Sequence, residues 1–247
     1  MTIPVFVINM PRSTERRKSA EERLKAARLD YHFIEGVDGK ALDFDHPHYD
    51  RNKRLRYFGR DLLEAEIGCL LSHRKIYQKM IEENIEQALI FEDDVILKEK
   101  NFTELLDSIM NSKTSWDIIR FIVPKRSHKI VTQITPEYSL GRVYGTQGGA
   151  FGYMITLKAA KKMVEHTERF WLPIDTIHGR TWETGLDVKY LLPCPITTDE
   201  EIPSTIGDKR FDKTIQLQNR QKALYPFFRA WHKLNDNIGK RTSYWFS

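Results

Sequence analysis

The sequence predicts a mixed α/β domain whose mostly parallel sheet is flanked by helices and followed by a C-terminal helical tail. Short β-branched and aromatic runs alternate with segments of helical periodicity, which is the order expected of βαβ units. The length of 247 residues fits one large domain or two small ones. Two cysteines, Cys69 and Cys194, set no disulfide framework, so a buried apolar core has to stabilise the fold.

The first unit runs from strand to helix to strand. Residues 5–9 form a β-branched and aromatic run that ends before Pro11, and Ser13 is placed to cap the helix that follows. Residues 31–35 predict a second strand, and the glycine-containing segment 36–39 predicts a turn. This order and spacing predict a parallel strand pair joined by a right-handed crossover.

The rest of the chain continues the alternation of strands and helices. Residues 43–60 are polar and predict a long loop, which is often functional in a compact domain. Residues 170–212 contain four prolines and predict irregular structure, and the helical pattern returns at Pro226. Between these segments we expect helices at 62–83, 102–110 and 157–168, and strands at 88–91, 117–123 and 153–155.

Three consecutive carboxylates follow the predicted strand at 88–91. Glu92, Asp93 and Asp94 repel one another, and in open α/β sheets ligands bind at the carboxyl ends of strands. Clustered carboxylate oxygens suit a hard cation such as Mg²⁺ or Mn²⁺, which neutralises a diphosphate leaving group. The alternative interpretation is an acidic turn that faces water. The strand before the triplet favours the metal site.

The first predicted helix begins close to several arginines. Asn9 ends the first strand, Arg12 lies in the loop, and Arg16 lies one turn into the helix. A helix N-terminus with added guanidinium groups is a ready anion site. A solvated basic helix face is the alternative, and we prefer it for Lys18, Lys25 and Arg28.

The predicted helix at 62–83 contains a glycine and a histidine that could contribute to a site. Gly68 costs about 1 kcal/mol relative to alanine inside a helix, so it indicates close packing against backbone or ligand. His73, taken alone, is more often a core or capping histidine than a ligand. Cys69 is expected to be a small buried apolar residue.

These motifs, taken in order, resemble bacterial glycosyltransferase family 25, the lipooligosaccharide and lipopolysaccharide sugar transferases. Each motif is weak alone, and the ordered set is specific over roughly residues 5–175. The resemblance rests on Val7-Ile8-Asn9 with Arg12 and Arg16-Arg17, Gly36-Val37-Asp38-Gly39, Glu66-Ile67-Gly68-Cys69 with Ser72-His73, Leu89-Ile90-Phe91-Glu92-Asp93-Asp94-Val95, Gly145-Thr146 with Gly152-Tyr153-Met154-Ile155, and Ala159-Ala160.

The resemblance implies a GT-A-like, Rossmann-type nucleotide-sugar fold, an inverting reaction and UDP-galactose as the usual donor. It gives Glu92-Asp93-Asp94 the role of the metal-binding motif, for Mn²⁺ or Mg²⁺. The residues that match the nucleotide side of the family are Asn9, Arg12, Arg16 and Asp38, with Gly68 and His73. Pro173-Ile174-Asp175 resembles a Pro-x-Asp element of relatives, and beyond about residue 176 the resemblance ends.

An inverting transfer needs a carboxylate that takes the proton of the acceptor hydroxyl. Asp175 is the first candidate for this base, with Glu183 and Asp187 behind it. An Asp in a proline turn is an equal alternative for Asp175, and a metal-ligand role for Asp175 or His178 stays open. The glycine-rich stretch 145–149 suits close approach of a sugar to the backbone, or plain β-turns.

The positive charge is concentrated in the tail. The net charge is +5, and residues 213–247 hold seven Lys and Arg against one acid, so residues 1–212 carry −1. This uneven distribution argues against a nucleic-acid binder. Phe227, Trp231, Leu234 and Ile238 are spaced by four, three and four residues and form one helical stripe. Basic residues with Tyr244, Trp245 and Phe246 favour an anionic membrane surface, and the alternative is a stripe packed on the domain.

We therefore expect a catalytic domain at 1–212, a basic tail at 213–247, and a metal-dependent transferase for nucleotide sugars. The expected acceptor is a lipid-linked oligosaccharide. The apolar N-terminal run is too short for a signal peptide, which predicts a cytoplasmic protein, peripheral on the inner face of the cytoplasmic membrane. A metal-dependent phosphodiesterase or phosphohydrolase and a non-catalytic membrane adaptor are the competing hypotheses.

Overall fold

The computed structural model describes residues 3–42, 44, 46–199, 215, 217 and 219–245. Its strands are β1 (Val5–Asn9), β2 (Tyr31–Glu35), β3 (Gln87–Glu92), β4 (Val95–Leu97), β5 (Ile118–Arg120), β6 (His128–Gln133), β7 (Ser139–Val143), β8 (Gly152–Thr156), β9 (Val188–Leu192) and β10 (Ile196–Thr198). Its helices are α1 (Thr14–Ala26), α2 (Arg51–Phe58), α3 (Glu64–Glu82), α4 (Phe102–Met110), α5 (Leu157–His166), α6 (Ile174–Gly179), α7 (Thr181–Thr184) and α8 (Asn219–Trp245).

Within these residues, eight strands form one sheet in the order β2-β1-β3-β8-β5-β9-β7-β6. The pairs β2–β1, β1–β3 and β5–β9 are parallel, whereas β8 and β7 are antiparallel to their neighbours. Six of the eight strands therefore point the same way. As a result, β1, β3 and β5 all end at one edge of the sheet, which we call the carboxyl edge.

Helices cover both faces of the sheet. On one face α3 and α5 pack through apolar side chains such as Leu70, Ile76 and Met163. On the other face α4 packs through Phe102, Leu105 and similar residues, and α1 contributes Leu24. The predicted class is confirmed: a mixed α/β domain with a mostly parallel sheet, flanking helices and a C-terminal helix.

Most predicted elements of the first 168 residues are confirmed to within a few residues. The strands at 5–9 and 31–35 and the helix at 102–110 have the predicted bounds. Ser13 precedes α1 as expected, but its side chain makes no capping hydrogen bond. The hairpin of β6 and β7 forms the last two strands in the sheet order, and the sequence pattern predicts no element for either of them.

The predicted loop at 43–60 is wrong in its second half, where α2 lies. Five of the eight residues of α2 are charged or amide side chains, so no apolar stripe marks it as a helix. Its ends carry the local signals instead. Asp50 accepts a hydrogen bond from the Lys53 amide at 3.0 Å, and Gly59 ends the helix with a φ of 73°.

The predicted irregular region at 170–212 is wrong for residues 174–198, which contain α6, α7, β9 and β10. Strand β9 is fully buried. Lys189 breaks the continuous apolar run that is typical of a buried strand. The Lys189 ammonium contacts Asp187 and the Ser115 carbonyl, each at 2.5 Å, which makes its burial possible. Residues 200–212 lie outside the described part of the chain.

The C-terminal helix begins before Pro226, so the prediction of Pro226 as its first residue is wrong. Asn219 is the first residue of α8, and Pro226 lies inside the helix. Helix α8 packs against α2 and α7. Phe246, predicted to flank the tail, lies outside the described residues. Among the described helices, none combines the length and the apolar character needed to cross a lipid bilayer.

Candidate active site at the carboxyl edge of the sheet

A cavity of about 130 Å³ opens where β1 and β3 end. The parallel register places Ile8 beside Glu92, so the loops after these two strands leave the sheet together. The loop after β2 and one face of α3 complete the wall. The lining side chains that can carry chemistry are Arg12, Arg16, Asp38, Cys69, His73, Glu92, Asp93 and Asp94. The position is the one at which open α/β sheets bind ligands.

Asp93 is the most enclosed of the three carboxylates. Asn9 Nδ2 donates a hydrogen bond to Asp93 Oδ2 at 2.6 Å, and the Arg16 guanidinium forms an ion pair with the other oxygen. Burial raises the pKa of Asp93, although the Arg16 charge and the Asn9 hydrogen bond oppose this effect. The predicted nucleotide-side residues Asn9 and Arg16 thus contact a predicted metal ligand directly.

Asp94 is less well compensated. Arg16 Nη2 lies 3.3 Å from Asp94 Oδ2, and Asp94 Oδ1 is buried without a hydrogen-bond partner among the described residues. Burial, followed by the negative charge of Glu92, raises the pKa of Asp94 to about 6. One guanidinium therefore has to balance a buried and a half-buried carboxylate with a third one beside them, and the cluster carries excess negative charge.

The donor set fits a hard divalent cation. Three carboxylates converge on one wall of the cavity, and Asp94 Oδ1 offers a buried oxygen that no other group satisfies. Both oxygens of Asp93 already have partners, so a cation bound by Asp93 would compete with Arg16. Glu92 and Asp94 are the carboxylates that are free to coordinate without breaking the contacts of Asp93.

Helix α3 brings a second set of donor atoms to Glu92. Cys69 Sγ, His73 Nε2 and a Glu92 carboxylate oxygen lie within 4.8 Å of one another. His73 is fully buried. Its Nε2 lies 3.9 Å from Glu92 Oε1 and has no hydrogen-bond partner in the part of the chain that the structure describes. Burial, followed by the charges of Glu92 and Asp175, raises the pKa of the Cys69 thiol. The sequence does not predict this grouping, because helix packing brings its members together.

A buried chain of hydrogen bonds fixes the His73 ring. His73 Nδ1 lies 2.8 Å from the Tyr153 hydroxyl, which lies 2.6 Å from the Tyr77 hydroxyl, and Tyr77 lies 2.9 Å from His178 Nε2. All four side chains are buried. Tyr77 and Tyr153 are members of the site that sequence reasoning missed. The sequence feature that could have identified them is a tyrosine at a core position, because its buried hydroxyl needs a hydrogen-bond partner.

Two glycines let the loop after β2 lie directly on α3. A Cβ atom added at Gly68 would lie 2.5 Å from the Val37 carbonyl oxygen and 2.6 Å from the Gly39 amide. The close packing predicted for Gly68 is thus against backbone. It holds Asp38 at the rim of the cavity, where the carboxylate pairs with Arg12 and accepts from the Lys40 amide at 3.1 Å. These contacts, with the Arg12 hydrogen bond first, lower the pKa of Asp38.

Asp175 lies in the first turn of α6 and is not one of the described residues that line the cavity. Its Oδ2 accepts from the Gly149 amide at 2.9 Å, and its Oδ1 accepts from the Thr176 amide at 2.5 Å. Gly149 has a φ of 89°, a conformation that favours glycine. The predicted glycine-rich stretch is therefore a turn that holds the carboxylate of the candidate base.

Arg120 supports the same turn and was missed by sequence reasoning. It ends β5 at the carboxyl edge and is 1% exposed. Its guanidinium donates to the Gln147 carbonyl at 3.0 Å and also to the Gly149 carbonyl. The signal that sequence reasoning did not use is an arginine in the middle of the predicted strand at 117–123, where a charged side chain needs buried partners.

The structure brings neither alternative base to the cavity. Glu183 forms two hydrogen bonds with Arg180. Asp187 precedes β9 at the opposite edge of the sheet and pairs with Arg142 and Lys189. His178 is buried next to the tyrosines, and burial, followed by the charge of Arg120, holds its pKa well below the usual range.

Comparisons with known proteins agree on one family. The profile of glycosyltransferase family 25 (LPS biosynthesis protein) matches residues 2–178. Human procollagen galactosyltransferase 2 is 30% identical over 176 residues, which are 65% of this chain and 27% of that protein. A glycosyltransferase 25 family member of Anopheles gambiae is 30% identical over 186 residues, which are 69% of this chain and 30% of that protein. The chain thus spans less than a third of the length of these relatives.

One solved structure with a similar chain trace is a Drosophila β1,4-galactosyltransferase 7 mutant in complex with manganese, UDP-Gal and xylobiose. It has a TM-score of 0.42 and 11% sequence identity, and the match covers 91% of this chain and 79% of that chain.

Proposed function

The chain belongs to glycosyltransferase family 25, and we propose that it transfers galactose from UDP-galactose to a lipid-linked oligosaccharide with inversion at the anomeric carbon. The observation that carries this proposal is the meeting of Arg16 with Glu92, Asp93 and Asp94 in one cavity at the carboxyl edge. Such a site offers positive groups for phosphate oxygens and carboxylates for a cation, side by side.

The donor diphosphate is proposed to bind over the N-terminal end of α1. Arg12 lies in the loop before this helix and Arg16 in its first turns, and both line the cavity. The backbone N–H groups and the partial positive charge of a helix N-terminus favour anions. Asn9 keeps Asp93 oriented beneath this position through its hydrogen bond.

The proposed metal-binding motif is Glu92-Asp93-Asp94, in which Glu92 and Asp94 would hold Mn²⁺ or Mg²⁺ and Asp93 would do so only in competition with Arg16. When bound, the cation neutralises charge that develops on the departing diphosphate. His73 and Cys69 border the same position, so they shape the side of the ion site that faces α3. The buried tyrosine chain holds the His73 ring in this orientation.

The proposed chemistry is a single displacement. The acceptor hydroxyl oxygen forms a bond to the anomeric carbon while the bond from that carbon to the diphosphate oxygen breaks, and UDP leaves. Asp175 is the proposed base that receives the hydroxyl proton. Two backbone amides fix its carboxylate.

The choice of donor and acceptor rests on the relatives. Human procollagen galactosyltransferase 2 is named for galactose transfer, and the family description names LPS biosynthesis. We therefore propose galactose as the sugar and a lipooligosaccharide as the acceptor. A lipid-linked acceptor of this kind would place the protein at the inner face of the cytoplasmic membrane.

The test is a donor screen that measures release of UDP from UDP-galactose, UDP-glucose and UDP-N-acetylglucosamine. Each donor is incubated with the full chain, truncated lipooligosaccharide acceptors and Mn²⁺, Mg²⁺ or EDTA. We expect acceptor-dependent release from UDP-galactose, and loss of that release in EDTA. Asp94→Asn should lower turnover by about two orders of magnitude or more, because it removes a carboxylate charge from the ion site.

Asp107→Asn on the exposed side of α4 is the matched control and should keep full turnover. UDP-sugar hydrolysis that needs no acceptor would instead support the phosphohydrolase hypothesis. Absence of turnover with every donor and acceptor would contradict transfer and favour a non-catalytic adaptor. Retained turnover in Asp94→Asn would contradict the metal assignment.

A further inference from the structure

The apolar stripe of α8 is turned away from the domain. Its members are spaced by three, four, three, four and seven residues, so they share one helix face, with Arg241 at the position between the last two. Each of them is more than half exposed: Leu224, Phe227, Trp231, Leu234, Ile238 and Trp245. In water such an exposed apolar face is unfavourable unless something covers it.

The opposite face of α8 anchors the helix to the domain. The Tyr225 hydroxyl donates to the Phe58 carbonyl at 3.1 Å, and the ring of His232 packs against Tyr57, Phe58 and Trp171 at 5.2–5.3 Å between centroids. The position of the stripe is therefore fixed by packing.

The C-terminal half of the helix is attached as firmly. Asp236 pairs with Arg180, and Ser243 contacts Thr181. A Cβ atom added at Gly239 would lie 2.4–2.5 Å from the indole of Trp182, so the helix touches α7 closely here. The stripe consequently points outward along the whole helix.

The charge of the described helix is strongly positive. Within residues 221–245 the basic side chains are Lys222, Arg229, Lys233, Lys240 and Arg241. The acidic one is Asp236, which pairs with both Arg180 and Lys240. Lys222, Lys233 and Arg241 are exposed. The apolar face is thus accompanied by uncompensated positive charge.

We propose that α8 docks this protein on an anionic lipid surface, with the stripe inserted among the lipids and the basic side chains at the headgroups. An interfacial helix combines an apolar face that contains Trp, Phe and Leu with Lys and Arg on its polar side. Two stripe members are tryptophans, which favour the membrane–water interface. This inference rests on the helix alone and not on the proposed transferase activity.

Charge decides between lipid and a second copy of the chain as the occupant. Two α8 helices packed through their stripes would bring the same basic side chains together, and like charges repel. Anionic headgroups instead attract them, at about 1 kcal/mol per Lys or Arg near the surface. A lipid surface satisfies both the apolar and the charged features of this helix.

The test is co-sedimentation of the full chain with vesicles, together with tryptophan emission. We expect binding to vesicles of phosphatidylglycerol and phosphatidylethanolamine, with a blue shift of emission, and at least tenfold weaker binding to phosphatidylcholine. Trp231→Glu and Leu234→Glu should each weaken binding to the anionic vesicles at least tenfold. Because both side chains are exposed, the thermal unfolding midpoint should not change.

Val123→Glu is the matched control, because Val123 is an equally exposed apolar residue outside the helix. It should bind vesicles as the unaltered chain does. The proposal is overturned if the unaltered chain binds no anionic vesicle, or if Val123→Glu weakens binding as much as the stripe variants. A concentration-dependent dimer that Trp231→Glu abolishes, without vesicle binding, would identify a second copy as the occupant.

Discussion

Arg16 is the residue in which the anion-binding and the carboxylate halves of the candidate site meet. It pairs with Asp93 and Asp94 while its own Nε is buried without a hydrogen-bond partner. A guanidinium in this position stabilises two carboxylates that would otherwise repel each other. The same group lines the cavity, so it is available to an incoming phosphate.

We predict that Arg16→Gln lowers both stability and nucleotide affinity. Loss of the cation leaves two largely buried carboxylates uncompensated, at a cost of about 2–4 kcal/mol in the free energy of unfolding. UDP should bind about tenfold more weakly, because a charge-assisted contact is lost. Urea unfolding and calorimetric titration with UDP measure the two effects.

Lys18→Gln provides the comparison for Arg16→Gln, since it removes an exposed charge from the same helix. It should change the free energy of unfolding by less than about 0.5 kcal/mol. Unchanged stability and unchanged UDP affinity in Arg16→Gln would contradict the role assigned to this residue.

His73 shows that one side chain can satisfy two interpretations of the sequence. It is a core histidine, fully buried and hydrogen-bonded to Tyr153 through Nδ1. Its other ring nitrogen lies toward Glu92 in the cavity wall. Sequence pattern alone places the residue on a helix, and the partner on β8 decides what each nitrogen does.

At the scale of elements, the contact between α3 and the loop after β2 shapes the cavity. Both surfaces are backbone, because glycine stands on each side at Gly39 and Gly68. Ser72 on the same helix accepts a hydrogen bond from the Val37 amide at 2.8 Å, which fixes the loop further. Asp38 and the wall of the cavity depend on this packing.

We predict that Gly68→Ala destabilises the protein, although alanine is the better helix former. Helix propensity alone would add about 1 kcal/mol of stability. The new methyl group would lie 2.5 Å from the Val37 carbonyl and 2.6 Å from the Gly39 amide. Neither backbone group can yield as a flexible side chain does, so we expect a net loss of about 2 kcal/mol.

Urea unfolding measures this effect, and Gln78→Ala on the exposed face of α3 is the control, with a change below about 0.5 kcal/mol. The opposite sign, a more stable Gly68→Ala protein, would show that the loop moves away from the helix at little cost. In that case the loop would not define the position of Asp38.

Elements with a strong local pattern were predictable, and elements stabilised by their neighbours were not. Strand β3 is a continuous apolar run, and α4 has apolar residues on one face. By contrast, α2 is polar, and α8 covers it through Tyr225 and Arg229. Strand β9 contains Lys189, whose burial depends on partners outside the strand. A local sequence pattern does not reveal such partners, because they lie on other elements.

At the scale of the whole molecule, α8 is attached to the domain by a charged cluster. Arg180 is 4% exposed and pairs with Glu183 and Asp236, and Lys240 completes the cluster. Burial acts to raise the pKa of Asp236, but the contacts with Lys240 and Arg180 outweigh it and lower the pKa. The attachment of the helix is therefore linked to pH.

We predict that Asp236→Asn loosens α8 more at neutral pH than in acid. A lowered pKa in the folded state stabilises above the unfolded pKa of about 3.9, and this stability is lost as pH falls through the folded value. The variant should therefore lose about 2 kcal/mol of protection in α8 at pH 7 and less as the pH falls below about 3.9 toward the folded-state pKa. Amide hydrogen exchange of residues 221–245 measures the difference.

Asp107→Asn is the control, because Asp107 is an exposed carboxylate on α4, distant in sequence from α8. It should leave amide exchange in α8 unchanged at both pH values. Equal losses of protection at pH 7 and pH 3 would contradict an electrostatic attachment. They would indicate that shape complementarity at Trp182 and Trp171 holds the helix.

The sequence by itself determined the α/β class, the family, and the order of the acidic, basic and glycine motifs. These properties are local, because the spacing of apolar residues, the turn residues and the ends of strands are all encoded in residues close together in the sequence. Only the tertiary structure decided which motifs meet: Arg16 with Asp93, His73 with Glu92, Asp175 with Gly149. It also decided that the stripe of α8 faces outward. The helical period identifies an apolar face, whereas packing against Tyr57, Trp171 and Trp182 selects the face that is buried.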